Sequence, residues 1–177
     1  SKDVRVDALE IDPSSAAQAE ENFQNSPWKE RLFCIPLSFQ DYSSQHTDPY
    51  DQILCNPPYF SASFKTPSIE KNLARHDDSL SLMEFFQGCV PLMKSPATIS
   101  LILPADKKEQ ALNLANEHQL FCRRLTRVIP APGKPVKRIL VEFSLQPGKN
   151  EESVLTIETG SRHSYTPEFK KLVERFY

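Results

Sequence analysis

Glycine is scarce in this chain: there are four in 177 residues, and the first is Gly88. No segment ahead of that position can form the glycine-rich loop that lets backbone amides close on a phosphate or nucleotide. Cysteine is as sparse, and Cys34, Cys55, Cys89 and Cys122 include no CxxC pair. That excludes zinc-site and disulfide-scaffold spacings and predicts buried free thiols, since three of the four lie in or beside apolar stretches. His46, His76, His118 and His163 are equally dispersed, so no metal-site spacing exists. No apolar run reaches membrane-spanning length and no basic-then-apolar leader is seen, so the expectation is a cytoplasmic protein that uses neither metal nor membrane.

The composition, 39% hydrophobic and 25% charged, is that of a globular chain, and its length fits one domain over 1–177. Net charge is only −2, but it is unevenly spread. Arg123, Arg124, Arg127, Lys134, Lys137 and Arg138 fall in one tract with no acidic residue. An acidic body with one basic stripe is either a localised polyanion contact or a solvated basic loop.

Hydrophobic patterning predicts strands over 4–11, entering a buried sheet, then over 32–37 and 50–55. Asp12 and Pro13 read as the cap and first residue of a helix running to Asn25-Ser26-Pro27. A polar loop leads into the third strand, and residues 61–78 read as a long loop. Helices are expected over 80–93 and 106–118, flanking a strand over 98–103. Two further strands, 120–129 and 138–145, are joined by the Pro-rich connection 130–137 and read as an antiparallel hairpin. A short strand over 154–158 and a helix capped by Thr166-Pro167, running through Phe176, close the chain. Strand–helix alternation ending in a hairpin predicts an α/β fold with an antiparallel edge.

The most informative tetrapeptide is Asn56-Pro57-Pro58-Tyr59, at the carboxyl end of the third strand, where open α/β sheets place ligands. Two prolines stiffen the turn, so the Asn56 side chain and the Pro57 carbonyl can converge on one external group. An exocyclic amine held by two such acceptors keeps its lone pair free to attack an electrophile, and Tyr59 offers a flat face for a planar base. The alternative is a strand-terminating turn beside a half-buried aromatic. Upstream, Glu10 ends a strand ahead of Ile11-Asp12-Pro13, as do the carboxylates that accept from ribose hydroxyls in nucleotide-binding α/β folds.

With these residues together the chain resembles the tRNA-valine N6-adenine methyltransferases, a class I, Rossmann-like family, over essentially its whole length. The resemblance is carried by Ala8–Asp12, by Cys55–Phe60, by Ala74-Arg75-His76 with Leu80-Ser81-Leu82, by Ile102-Leu103-Pro104, by Pro130–Glu142, and by Tyr165 with Phe176-Tyr177. The Asn-Pro-Pro-Tyr turn gives only the superfamily; the Ala-Arg-His element and the tail narrow it. The resemblance implies methyl transfer from S-adenosylmethionine to an anticodon-loop adenine of tRNA. It makes Asn56 and Pro57 the amine acceptors within a catalytic turn that includes Pro58. Tyr59, with Phe60 beside it, becomes the base platform, Glu10 the ribose ligand and Ile11 the apolar contact for the cofactor's adenine. Ser38, with Phe39, takes the place of the acid that reads the cofactor's adenine amine in the family; Asp41 is the nearest acid but stands out of register. Around Lys94–Ala97 a glycine of the family is replaced. Arg75 and His76 either touch RNA or fix their loop, and Lys134, Lys137 and Arg138 are the candidate tRNA contacts. Competing readings are a protein-glutamine N5-methyltransferase, whose side-chain amide would fit the same acceptors, and a non-catalytic remnant on the same scaffold.

The family carries a strand and glycine-rich loop ahead of the Glu10 equivalent, which this sequence does not contain. In the family's sheet that strand lies between those ending here at Glu10 and Cys55. The expectation is therefore that these two strands do not pair directly, that upstream residues or a second chain fill the place between them, and that the methionine end of the cofactor lacks its cradle.

Overall fold

The computed structural model describes residues 4–46, 48–57 and 80–175. The chain divides into two compact units, Ser1–Thr47 and Asp48–Tyr177. Within the first, β1 (Val6–Leu9) pairs in parallel with β2 (Leu32–Ile35), from Val6 against Leu32 to Leu9 against Ile35. Between them runs α1 (Pro13–Gln24), which starts where the sequence places it. Asp12 is extended, and its carboxylate accepts from the Ser15 N–H at 2.8 Å and the Ser14 hydroxyl at 2.7 Å. Pro13 lacks only an N–H that the first helical turn leaves unbonded. β1 is not the buried strand expected: Val6 is 42% exposed.

A second correction concerns α2 (Phe39–Gln45), a helix where a polar loop was expected. Ser38 caps it, accepting from the Asp41 N–H at 3.0 Å. Tyr42 is its one buried residue and stacks on His46 at 4.4 Å between ring centroids.

The second unit is built on a five-stranded sheet in the order β3-β4-β6-β5-β7. Its elements are β3 (Tyr50–Cys55), α3 (Leu82–Cys89), β4 (Met93–Pro104), α4 (Lys108–Glu117), β5 (Phe121–Ile129), β6 (Arg138–Ser144), β7 (Glu151–Thr156) and α5 (Pro167–Val173). The expected hairpin is present, with β5 antiparallel to β6, and β6 in turn is antiparallel to β4. β3 with β4, and β5 with β7, are parallel. Hence β3, β4, β5 and β7 all end at the same edge of the sheet.

Several boundaries differ from expectation: β1 spans Val6–Leu9 rather than 4–11, and β2 ends at Ile35 rather than at 37. The helix expected to reach Met93 stops at Cys89, because Pro91 has no N–H to continue the ladder; a single 3-10 turn, Val90–Leu92, follows. β4 therefore begins at Met93, which pairs with Tyr50, well before Thr98. β7 begins at Glu151 and ends at Thr156, and Glu158 forms only an isolated bridge with Tyr165.

One face of this sheet is the core. Ile99, Leu101 and Leu103 of β4, Ile139, Val141 and Phe143 of β6, and Leu125 of β5 are all buried. Phe86 of α3 meets Phe143 edge-on at 5.4 Å, and Ala111, Leu114 and Ala115 of α4 are buried too. Each buried large apolar side chain contributes about 1.5–3 kcal/mol. α3 is fixed at its start by a reciprocal cap in which Ser81 and Glu84 each bond the other's backbone N–H.

β1 pairs with β2, β3 pairs with β4, and β1 and β3 belong to different sheets among the described residues. No described helix is long and apolar enough to cross a membrane. All four cysteines are free, but only Cys89 is fully buried; Cys34, Cys55 and Cys122 are half-buried.

Candidate functional site

The residues singled out in the sequence fall into two groups, one in each unit. In the first, the carboxyl ends of β1 and β2 lie side by side, with the Glu10 N–H donating to the Ile35 carbonyl at 3.2 Å. This places Glu10 and Ile11 beside the turn that leads to Ser38 and Phe39. One oxygen of the Glu10 carboxylate accepts from the Asp12 N–H at 2.9 Å, so the structural role open to this acid is real. A carboxylate has lone pairs for several donors, and the second oxygen keeps its capacity. Ile11 is 56% exposed, an open apolar surface next to that acid. Asp12 is ionised well down the pH scale: the Ser14 hydroxyl and then the Ser15 N–H hold its carboxyl below the usual carboxylate range.

Ser38 has little left to offer a ligand. Its hydroxyl accepts from the Asp41 N–H and donates to the Asp41 carboxylate at 2.7 Å. Sequence register put Asp41 three positions away from the needed acid. The helical turn of α2 brings its carboxylate onto Ser38, one oxygen bonded and the other available. Sequence register set Asp41 aside, whereas the Ser-x-x-Asp spacing that opens a helix was the signal that would have placed it beside Ser38.

In the second unit, β3 delivers Asn56 and Pro57 to the carboxyl edge of the sheet. Ile53 and Cys55 stand in register with Ile99 and Leu101 on the core face. Alternation turns Leu54 away, and it is 70% exposed. Burial pushes the Cys55 thiol up to about 11, so it stays protonated beside Asn56 at neutral pH. Asn56 is exposed, Pro57 is buried, and the Asn56 amide makes no hydrogen bond among the described residues. A carboxamide on an anchored strand end, with no bond to the other described residues, is suited to accept from an external amine. Pro58, Tyr59, Phe60, Arg75 and His76 lie outside the described residues.

The basic tract does not act as one stripe. Arg123 donates to the carbonyls of Gln146 and Pro147 at 3.2 and 3.1 Å, and Arg127 pairs with Glu152 at 2.7 Å. Arg138, in register with Pro104 and Val128, donates to the Lys137 carbonyl at 3.2 Å. Lys134 and Lys137 lie in the connection between β5 and β6, and their side chains are exposed and unpaired among the described residues. That connection is docked at the site's edge, because the Ala105 N–H, just past β4, donates to the Lys137 carbonyl at 3.2 Å.

No family model matches the chain. Among curated proteins it is similar to the tRNA1(Val) (adenine(37)-N6)-methyltransferase of Flavobacterium psychrophilum, 38% identical over 174 residues covering 98% of this chain and 74% of that protein. The enzyme of the same description from Christiangramia forsetii is 39% identical, over 97% of this chain and 72% of its own length. That of Aliivibrio fischeri is 38% identical, over 99% and 73%. Among solved structures, a predicted O-methyltransferase of Agrobacterium tumefaciens superposes with a TM-score of 0.69 at 16% identity, over 96% of this chain and 77% of the other. The M protein of the type I restriction enzyme EcoKI gives 0.57 at 14%, over 96% and 40%. At such identities the structures speak for the fold alone, and that fold is the Rossmann-like one of methyltransferases.

Proposed function

The chain belongs to the tRNA1(Val) (adenine(37)-N6)-methyltransferase family, and we propose that it methylates the exocyclic amine of an anticodon-loop adenine in tRNA(Val). The observation that carries the chemistry is the exposed Asn56 amide, without a hydrogen bond among the described residues, held at the end of β3 ahead of a buried Pro57. An adenine turned out of its stack presents an N6 amine with two hydrogens. The Asn56 carboxamide oxygen and the Pro57 carbonyl accept those hydrogens. With both directed away, the nitrogen lone pair points at the incoming methyl. Neither acceptor needs to change its protonation state: the amine becomes acidic once methylated and releases its surplus proton to water, so the step depends on position and electrostatics rather than on a strong base. Tyr59 stacks on the base, as the Asn-Pro-Pro-Tyr turn of the family implies.

S-adenosylmethionine, when bound, supplies an electrophilic sulfonium methyl. The residues of the first unit fit its adenosine half. The free oxygen of Glu10 accepts from ribose hydroxyls, and Ile11 packs against the adenine. The adenine amine is read by Asp41, whose carboxylate Ser38 steadies, rather than by Ser38 itself. Phe39 follows Ser38 at the same turn. On this reading the protein is a tRNA enzyme with a single small-molecule cofactor.

The test is transfer of labelled methyl to unmodified tRNA and, in parallel, to a peptide-chain release factor. Label in tRNA that maps to N6-methyladenine supports the proposal. Label in release-factor glutamine, with none in tRNA, replaces it with the amide reaction.

A further inference from the structure

Four cations sit on the carboxyl edge of the five-stranded sheet without a partner among the described residues. Lys107 lies in the 3-10 turn that follows β4. Lys134 and Lys137 lie in the β5–β6 connection, and Arg162 in the turn between β7 and α5. None of the four side chains makes a hydrogen bond or ion pair among the described residues. Their neighbours are otherwise engaged: Lys108 pairs with Glu109 at 3.1 Å, and Arg123 and Arg127 are bound as above. Parallel β3, β4, β5 and β7 bring these scattered positions to the edge that carries Asn56. The strand spacing puts the β7 end about 19 Å from the β3 end.

The Arg162 turn is a made feature rather than a loose end. The Ser164 N–H closes on the Ser161 carbonyl at 3.1 Å, and the Thr159 N–H bonds the Ser164 carbonyl at 2.8 Å. His163 is held at a φ of +63°, where a non-glycine residue rarely sits, by its N–H bond to the Glu158 carboxylate at 3.1 Å. The base of the turn is fastened to the sheet by the Ile157 and Glu158 N–H groups, which donate to the carbonyls of Ile129 and Pro130 at 2.9 Å. Arg162 is therefore presented, exposed, from a rigid support. Acidic neighbours are few among the described residues: Asp106 beside Lys107 is exposed, and Glu158 is turned inward to its backbone partner.

We propose that Lys107, Lys137, Lys134 and Arg162 form one phosphate-binding rim that grips the tRNA backbone away from the target adenine. The inference rests on the tRNA reading above and deepens it. The target base meets Asn56 at one end of the rim, and Arg162 holds phosphates at the other. Lys107 and Arg162 are the new assignments, since neither belongs to the basic tract visible in the sequence.

The test uses the full-length protein and unmodified tRNA, with the K107Q/R162Q double variant. The slope of log K against log salt falls by about 1.4–1.8, at about 0.7–0.9 for each lost phosphate contact. KM for tRNA rises while kcat at saturating tRNA, cofactor affinity and melting temperature stay as in the parent. Lysine in place of glutamine at 162, in K107Q/R162K, restores about half of the lost slope, about 0.7–0.9. Lys149→Gln, which alters a cation before β7 at the opposite edge, leaves it unchanged. A parent-like slope and KM in K107Q/R162Q, with the parent active on tRNA, overturns the rim. An equal loss in Lys149→Gln overturns it as well, because binding is then diffuse. A parent enzyme that fails to methylate tRNA rejects instead the function on which the rim rests.

Discussion

Gly148 lies against the guanidinium of Arg123, and a side chain at 148 would occupy the place of that group. The absence of a Cβ lets Arg123 donate to the Gln146 and Pro147 carbonyls and pin the turn between β6 and β7. Its Nε is buried there without a partner. Gly148→Ala displaces the guanidinium and loses bonds of the charge-assisted kind, about 1.5–3 kcal/mol. Arg123→Met removes the same contacts from the other side. In a double-mutant cycle by denaturant unfolding the two losses do not add; full additivity sinks the pin.

Asn56→Ala abolishes methyl transfer in the complete enzyme yet leaves stability within about 0.5 kcal/mol, as expected at an exposed position without partners among the described residues. Labelled methyl incorporation and a thermal melt on one sample decide it. Near-normal turnover would remove the amine-acceptor mechanism.

Glu10 separates two roles that one substitution confuses. Glu10→Gln keeps an acceptor for the Asp12 N–H, so stability holds, while cofactor affinity falls about tenfold or more with loss of a charged acceptor. Glu10→Ala loses both. Calorimetric titration with S-adenosylmethionine, beside unfolding curves, reads the two effects apart. Equal affinity in Glu10→Gln and the parent shows that this acid only caps.

The thiol at the end of β3 makes stability fall in mild alkali. A thiol whose pKa rises on folding stabilises the native state fully below the unfolded value of 9.0. As pH climbs from there towards about 11 the unfolded chain ionises and the folded one does not, so the contribution is lost across that window. Unfolding free energies at pH 8 and 10.5 for the parent and Cys55→Ser show it, with a smaller decline in the variant. Cys89, pushed up further by burial and then by Cys55, resists alkylation at pH 8 in the folded protein.

Local signals were legible in the sequence, and signals needing a partner were not. Asp12-Pro13 declares the start of α1 because a cap and a proline act within one turn. β3 and the β5–β6 hairpin follow from pattern alone. α2 was hidden because Phe39–Gln45 buries only Tyr42 and so shows no apolar stripe; its one cue is the Ser38–Asp41 spacing. Exposure of β1 was illegible for the opposite reason: its pattern records what it is able to bury, not what covers it. At the site, strand-end logic located Asn56 and Glu10. The basic tract misled in part, since counting charge does not reveal that Arg127 answers Glu152 while Lys134 has no partner among the described residues. Lys107 and Arg162 lie far apart in sequence and share an edge only through parallel pairing.

The placement of β6 between β4 and β5 sets an order of events on the ribosome. β3, α3 and β4 emerge first, with Ile99, Leu101 and Leu103 already made, yet β4 gains its second neighbour only when Arg138–Ser144 appears. Phe86 likewise waits for Phe143. At roughly 5–20 residues per second the nascent chain holds an apolar, one-sided strand open for several seconds. A stalled or truncated product ending before β6 is therefore a client for chaperones and proteases, and the first half of the sheet becomes secure only when the hairpin is complete.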